Sequence, residues 1–293
     1  MIEWKKDLGL EGRMILTMFL LAAVYLFFLV FLASMGAPQT FMLLFIALFM
    51  GAQYYYSDRL VLWTMNARVI SDSEEPKLHE TITRLCVIAG LPIPKIAIVN
   101  TSVPNAFATG RSPKNAVVAV TSGLMHKLNQ GELEAVLAHE LSHVKNRDMA
   151  ILTIASFIST LAFYIVRYSF YFGAFGGNRR NSNGGLIVIW IVSILVWIIS
   201  FLLIRALSRY REFAADRGSA LITGNPVNLI SALRKISGTM ANVPTEDLRK
   251  VEGMNAFFII PAVSGSMMNL ISTHPSMEKR IAALEKIQRE IEF

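Results

Sequence analysis

The sequence predicts an α-helical membrane protein with four transmembrane helices and a mostly helical α+β domain on the cytoplasmic side. Three observations support this fold class. Of the 293 residues, 54% are hydrophobic and 17% are charged, against about 45–50% and about 25% in an average soluble domain. The hydrophobic residues form long uncharged runs. The segments between these runs carry helix and strand patterns. Disordered, collagen-like and simple soluble chains are therefore excluded.

The first uncharged run covers residues 14–57. One span needs about 20 residues, so this run is long enough for two. A turn sequence at 36–39 divides it into predicted spans at 14–35 and 40–56. A cleaved signal peptide is less consistent with the first span, because no small-residue cleavage site follows it. Residues 1–56 are therefore predicted to form an N-terminal transmembrane hairpin.

Two further apolar runs, at 149–172 and 186–204, predict a second transmembrane hairpin over residues 149–204. Arg167 lies about 27 Å along the third span at about 1.5 Å per residue, close enough to the far interface for its side chain to reach water. Two adjacent arginines in the loop of this hairpin leave open a second arrangement, in which it is partly extramembranous and packs on the soluble part.

The basic residues follow the positive-inside rule for a protein whose termini and soluble segments are cytoplasmic. Residues 1–13 contain three Lys or Arg, residues 57–148 contain ten and residues 205–293 contain twelve. The net charge of +7 is more typical of this topology than of nucleic-acid binding, and we expect no nucleic-acid partner. The single cysteine, Cys86, excludes an internal disulfide and a cysteine-based zinc site, and it is consistent with a reducing compartment.

The first soluble segment, residues 57–148, alternates helix and strand signals. A helix is predicted to begin at Pro76 and to end at Gly90. Short runs rich in β-branched residues follow, separated by turn residues. They predict three strands, at 95–99, 105–109 and 116–121.

A capping-box pair, Asn129 and Glu132, predicts the start of a helix that runs to about Lys145. The second soluble segment, residues 205–293, is predicted to be mostly helical. One of its helices opens at Asn225-Pro226. The last helix follows His274-Pro275-Ser276, with an apolar face formed by Ile281, Leu284 and Ile291.

The predicted helix over 129–145 contains His139-Glu140-Leu141-Ser142-His143. Two histidines at i and i+4 share one helical face and can bind one metal ion. Glu140 is rotated by about 100° from His139, so its carboxylate can accept a proton from a water held by the metal without binding the metal itself. The alternative is two helix histidines with a coincidental glutamate.

A catalytic zinc site needs a third protein ligand and an open position. The third histidine of one metallopeptidase pattern would fall on Met149, which excludes that class. Glu212 fits instead, because it closely follows the fourth span on the predicted side of the two histidines. Asp216 lies one turn later, where it can accept a hydrogen bond from a ligating histidine. The alternative for both acids is a salt bridge with a neighbouring arginine.

Taken together, these motifs resemble the HtpX membrane zinc metallopeptidases, relatives of the CAAX prenyl proteases. The motifs are His139–His143, Arg211–Asp216, Asn105–Gly110, and His274-Pro275 with Arg280. The four-span layout matches as well. The resemblance implies a zincin-type, gluzincin-like catalytic domain with one Zn²⁺ bound by His139, His143 and Glu212, and with Glu140 as the catalytic base.

The resemblance also implies endopeptidase action on misfolded or damaged membrane proteins, or on unfolded polypeptides, at the plasma membrane of a prokaryote. An exposed edge strand beside the metal can hold an extended peptide through backbone hydrogen bonds. The residues expected to bind substrate in this way are Asn105, Ala106, Phe107 and Ala108. The alternative is an ordinary core hairpin strand.

His274 and Arg280 complete the expected site. His274 can donate a hydrogen bond to the oxyanion of the tetrahedral intermediate, or it can cap the last helix. The resemblance implies that Arg280, like Asp216, supports the metal ligands, and as an alternative Arg280 can pair with Glu278 or with Asp216. The sequence alone leaves both choices open.

Two other functions remain as alternatives to the protease. A catalytically silent holdase for membrane proteins is favoured where the base or the third ligand is missing, and here both are present. A CAAX-type prenyl protease is expected to have more spans around a larger chamber. Physiological substrates, cleavage preference and oligomeric state cannot be read from the sequence.

Overall fold

The computed structural model describes residues 7–35, 39–175, 183–240 and 274–292. Four short strands lie among the helices: β1 (Arg68–Val69), β2 (Lys95–Val99), β3 (Ala106–Thr109) and β4 (Val117–Thr121). The helices are α1 (Leu8–Ser34), α2 (Gln39–Thr64), α3 (Pro76–Ala89), α4 (Ser122–Lys127), α5 (Gln130–Lys145), α6 (Asp148–Phe175), α7 (Asn183–Thr223), α8 (Pro226–Met240) and α9 (Met277–Glu292).

Within the described part of the chain, two helical stretches are long and apolar enough to cross a membrane, Leu8–Ser34 and Ile187–Thr223. A third appears if α5 and α6, which meet at an angle of 56°, count as one broken span. The predicted spans 40–56 and 149–172 lie inside α2 and α6, so their helical structure is confirmed. Membrane crossing by these two helices stays a prediction.

Helix α7 is longer than the sequence predicts. The sequence predicts a span that ends near Ile204 and a mostly helical segment after it, and α7 joins the two as one uninterrupted helix of 41 residues. At about 1.5 Å per residue it is about 60 Å long, twice the thickness of a hydrocarbon core. Its first half is apolar and its second half carries Glu212 and Asp216 into the soluble part.

The four strands form one sheet in the order β1-β2-β4-β3. Strands β2 and β4 are parallel, and the other two pairs are antiparallel. Strand β4 is buried along its whole length, as expected for a β-branched central strand covered on both faces. The order leaves β3 at one edge.

Helix α5 lies at the centre of the soluble part and packs against α3, α7, α8 and β3. Its capping box is confirmed: the Asn129 side chain accepts from the Glu132 N–H at 2.9 Å, and the Glu132 carboxylate accepts from the Asn129 N–H at 2.9 Å. Glu132 also accepts from Ser231 and Lys235 of α8. These contacts hold α5 in a fixed position and therefore restrict the positions of its side chains. Its fully buried apolar residues are Ala135, Val136, Leu137, Ala138 and Leu141.

The predicted apolar face of the last helix is partly wrong. Leu284 is fully buried and Ile281 is partly buried, but Ile291 is 43% exposed. Ile287 takes its place in the core. Ile291 lies one turn beyond Ile287, near the end of α9, where the packed surface has ended. The two loop arginines of the second hairpin lie outside the described residues.

Candidate functional site

The two helix histidines and Glu212 converge at one point. His139 and His143 are one turn apart on α5, and their Nε2 atoms are 3.2 Å apart. Glu212 reaches them from α7, with Oε2 3.7 Å from His139 Nε2 and Oε1 3.5 Å from His143 Nε2. One ligand atom from each residue lies within 4.8 Å of the other two. The predicted third ligand position is thus brought together with the histidine pair.

A carboxylate lies behind each histidine. Asp216 Oδ1 is 3.0 Å from His139 Nδ1, and Asp148 Oδ2 is 2.6 Å from His143 Nδ1. An Nδ1–H donated to a carboxylate leaves the Nε2 lone pair available on the other side of the ring. Two such nitrogens and one carboxylate oxygen are the donor set of a catalytic zinc site with an open position. The residues present therefore fit a zinc ion.

The sequence pattern indicated Asp216 but not Asp148. The helix α5 ends at Lys145, and Arg147 adopts a left-handed conformation with φ 56° before α6 begins. This reversal lets Asp148 reach back to His143, five residues earlier. An acidic residue at the start of the next predicted helix was the available signal, but its use depended on a sharp turn that the sequence does not specify.

Arg280 pairs with Asp216, which resolves the choice that the sequence left open. Its Nε donates to Asp216 Oδ2 at 2.8 Å and its Nη2 donates to Oδ1 at 2.6 Å. Its Nη1 lies 3.4 Å from Glu212 Oε2. The side chain is 1% exposed. A bidentate, buried pair of this kind fixes the carboxylate in position.

His274 lies at the third ligand. Its Nδ1 is 3.1 Å from Glu212 Oε2, and the residue is buried. It also lines the cleft that contains the histidine pair. From this position it can donate to Glu212 or to a group in the cleft.

Glu140 is buried beside the convergence point, on the wall of the same cleft. Burial raises the pKa of its carboxyl to about 7; the nearby His139 opposes this rise and the charge of Glu212 adds to it. The backbone N–H of Ala108 donates to this carboxylate. A carboxyl group that titrates near neutrality suits proton transfer. A divalent cation in the site would lower this pKa.

Strand β3 is at the sheet edge, as predicted, but it is not exposed. All four of its residues are buried, because α5 packs against it and its outer edge faces the cleft instead of bulk water. The cleft is formed by several distant segments of the chain. It is lined by residues of β3, α5, α6 and α7, with His274: Ala106, Phe107, Ala108, His139, Glu140, His143, Asp148, Met149, Leu152, Ser208, Arg211 and Glu212.

The backbone of β3 alternates between its partner strand and the cleft. The Thr121 N–H donates to the Asn105 carbonyl at 2.9 Å. In an antiparallel pair the hydrogen-bonded positions alternate, so Ala106 and Ala108 direct their backbone groups to the outer edge. The bond from Ala108 to Glu140 agrees with this register. Asn105 begins the segment just outside the cleft lining.

The chain is similar to known peptidases over most of its length. A model of Peptidase family M48 matches residues 72–288. The chain is 71% identical over 290 residues to Protease HtpX homolog 2 of Methanosarcina acetivorans, covering 99% of both chains. It is 58% identical over 289 residues to Protease HtpX homolog of Moorella thermoacetica, covering 98% of this chain and 97% of that one.

Among solved structures, the crystal structure of S. mikatae Ste24p aligns with a TM-score of 0.54 at 18% identity. The alignment covers 95% of this chain and 66% of that chain, and at this identity it shows a shared fold alone. The expected resemblance is therefore confirmed by the family model and by relatives of nearly equal length. The chain belongs to peptidase family M48 and is a membrane metalloprotease.

Proposed function

We propose that the protein is a zinc-dependent endopeptidase with His139, His143 and Glu212 as metal ligands. The observation that carries the proposal is the convergence of three ligand atoms within 4.8 Å, next to a buried glutamate that binds neither histidine. Zinc, when bound, supplies a Lewis acid that lowers the pKa of water to about 7 and polarises a carbonyl oxygen.

Glu140 is the general base of the proposed reaction. Its carboxylate takes a proton from the attacking water and then delivers a proton to the nitrogen of the leaving amine. Burial keeps this carboxylate out of bulk water, and the Ala108 N–H orients it. His274 faces the cleft from the side of Glu212, and we assign its ring N–H to the oxyanion that develops on the scissile carbonyl.

The outer edge of β3 is the proposed substrate-binding strand. The Ala108 N–H is held by Glu140, so the N–H and carbonyl of Ala106 and the carbonyl of Ala108 are the groups with which an extended peptide can pair. A smaller cavity beside Gly110 shares Ala108, His143 and Met149 with the cleft. We propose that an extended peptide follows β3 past Gly110, as an endopeptidase requires. The side-chain amide of Asn105, at the start of this strand, is assigned to orienting the peptide, and Phe107 contributes to the cleft wall.

The position of the site relative to the membrane indicates the substrate class. Glu212 lies eight residues after Ile204, the last uncharged residue of the apolar half of α7. Along one continuous helix this is about 12 Å. A cleft so near the bilayer is accessible to loops and tails that emerge from it. We infer that the substrates are misfolded or damaged membrane proteins, cleaved in cytoplasmic regions, and that both termini are cytoplasmic in a prokaryotic plasma membrane.

Replacement of Glu140 by glutamine tests the proposal. We expect Glu140→Gln to keep stoichiometric zinc and to cleave casein about 10²–10⁴-fold more slowly, the usual contribution of a general base. The matched control is Glu134→Gln, the same change on the same helix at a residue that pairs with Arg84. The control should keep both zinc and activity. Loss of zinc in Glu140→Gln would make this residue structural, and undiminished cleavage would remove it from the reaction.

A further inference from the structure

Each of the two ligating histidines contacts an aspartate, and each aspartate contacts a buried arginine. His139 contacts Asp216, which is held by Arg280. His143 contacts Asp148, and Arg211 donates to the second oxygen of that carboxylate. Arg211 and Arg280 are each 1% exposed. Each histidine therefore faces an aspartate whose other contacts include a buried guanidinium.

The contacts of His143, Asp148 and Arg211 join three helices. Arg211 belongs to α7 and stands directly before Glu212. Besides Asp148 at the start of α6, its Nη2 donates to the carbonyl of Asn146 at the end of α5, at 3.2 Å. The residue that supports the second histidine is thus next in sequence to the third ligand. A shift of α7 relative to α5 would therefore move Glu212 and, through Arg211 and Asp148, would also disturb the ring of His143.

The sum of the buried charges around the two histidines is consistent with a bound divalent cation. Within the described residues, four buried carboxylates surround the two rings, namely Glu140, Glu212, Asp216 and Asp148. The two guanidinium groups offset two of these charges, and one divalent cation would offset the other two. Isolated buried charge is costly, so removal of one guanidinium leaves an uncompensated carboxylate.

We propose that Asp148 and Arg211 are a positioning pair that orients the His143 ring and couples it to the helix of Glu212. The proposal rests on the proposed function, since it assumes that His143 binds metal. Asp148 accepts the Nδ1–H of His143 and so directs Nε2 toward Glu212. Arg211 holds Asp148 in place and neutralises it. Neither residue is proposed to touch the reacting atoms.

Cobalt binding to purified full-length protein in detergent tests this pair. Co²⁺ affinity, measured by competition with a chelator, and the visible absorption of the bound Co²⁺ both report on ligand geometry without requiring activity. We expect Asp148→Ala to weaken Co²⁺ binding by about 10–100-fold, as loss of a histidine's carboxylate partner does, and to alter the absorption spectrum. Arg211→Met should have an effect in the same range.

The double variant distinguishes a pair from two independent contributions. Because both residues act through one contact to His143, the loss in Asp148→Ala/Arg211→Met should be close to that of the weaker-binding single variant, not to the product of the two. The matched control is Lys235→Met, which removes the cation from another buried carboxylate of α5, Glu132. It should lower thermal stability and leave Co²⁺ affinity and spectrum unchanged.

Wild-type affinity and spectrum in a folded Asp148→Ala variant would overturn the proposal, and so would multiplicative losses in the double variant. If Asp148→Ala does not fold, the Co²⁺ spectrum of Asp148→Asn tests the proposal instead. It keeps an acceptor oxygen without the charge that Arg211 holds, so it should fold and show an altered Co²⁺ spectrum, whereas an unchanged spectrum would overturn the proposal. Failure of the wild-type protein itself to bind Co²⁺ would instead reject the proposed function.

Discussion

The chemistry of single residues explains which parts of the site could be predicted. Glu212 was indicated by its position after the fourth span and by the family resemblance. His139 and His143 follow from helical spacing on one helix, and Asp216 follows from the same spacing relative to Glu212. These relations are local, so they can be read from the sequence. The contacts of Arg211 and Arg280 are not local: they depend on the packing of α6, α7 and α9, and a buried arginine has no sequence signal that separates it from an exposed one.

Glu212 and Asp216 are predicted to differ in their effect on zinc affinity. Glu212→Ala should lose stoichiometric zinc because two histidines alone are left. Asp216→Ala should retain zinc with an affinity lowered by about 10–100-fold, because it removes only the support of His139. Isothermal or chelator-competition titration of both variants gives the answer. Wild-type affinity in Glu212→Ala would mean that another residue is the third ligand.

The raised pKa of Glu140 predicts a pH effect on the metal-free protein. The folded-state pKa of about 7 exceeds the ordinary value of 4.5, so the folded state binds the proton more tightly than the unfolded state does. The resulting stability is fully present below about pH 4.5 and is lost as the pH rises through about 7. Glu140→Gln removes this dependence.

The corresponding measurement is the melting temperature with chelator present, at about pH 5 and about pH 8. The melting temperature of the wild-type protein should fall more between these values than that of Glu140→Gln, and the variant should be the more stable of the two at the higher pH. Equal changes in the two proteins would show that Glu140 is not desolvated as described.

At the scale of secondary structure, the positions of most helices and strands were predicted well, but the burial of individual elements was predicted less well. Proline and glycine fixed the ends of α3, and a capping box fixed the start of α5. The predicted fourth span ends near Ile204, where apolar residues are followed by charged ones, and this change marks the end of the apolar stretch but not the end of the helix. The burial of β3 was missed because an edge position says nothing about what covers the edge.

The register of β3 predicts a selective effect of proline. Ala106 directs its N–H to the cleft, so Ala106→Pro should remove one substrate hydrogen bond without breaking the ladder to β4. One hydrogen bond is worth about 0.5–1.5 kcal/mol, which corresponds to a loss of about 2- to 12-fold in cleavage of long chains. Zinc content should not change.

Ala106→Gly is the control, since it keeps the N–H group. It should cleave long chains faster than Ala106→Pro under the same conditions, with kcat/KM on an unfolded protein as the readout. Equal activity of the proline and glycine variants would contradict the assignment of this edge to substrate binding.

At the scale of the whole molecule, the proposed substrate access depends on a site held near the bilayer. Helix α7 joins the membrane to Glu212 without interruption, and α6 begins at the residue that contacts His143. Hydrophobicity located these helices in the sequence. It did not locate the cleft between them, because the cleft is formed by side chains from four distant segments.

This placement predicts where substrates are cut. A distance of about 12 Å is spanned by about four extended residues, so cleavage sites in a membrane-protein substrate should lie in cytoplasmic loops, about four or more residues from a span end. Mass spectrometry of products from co-reconstituted vesicles maps these sites, with Glu140→Gln vesicles as the blank. Sites on the far side of the membrane, or deep within spans, would refute both the orientation and the surface position of the cleft.

The most direct test of the central claim is metal content measured together with proteolysis on one preparation. We expect the purified wild-type protein to contain about one zinc per chain and to cleave casein, to lose both after chelation and dialysis, and to regain both when one equivalent of zinc is added back. His143→Ala should neither retain zinc nor respond to its addition. Undiminished cleavage by the fully metal-free wild-type protein would contradict the claim that the site formed by His139, His143 and Glu212 performs the hydrolysis.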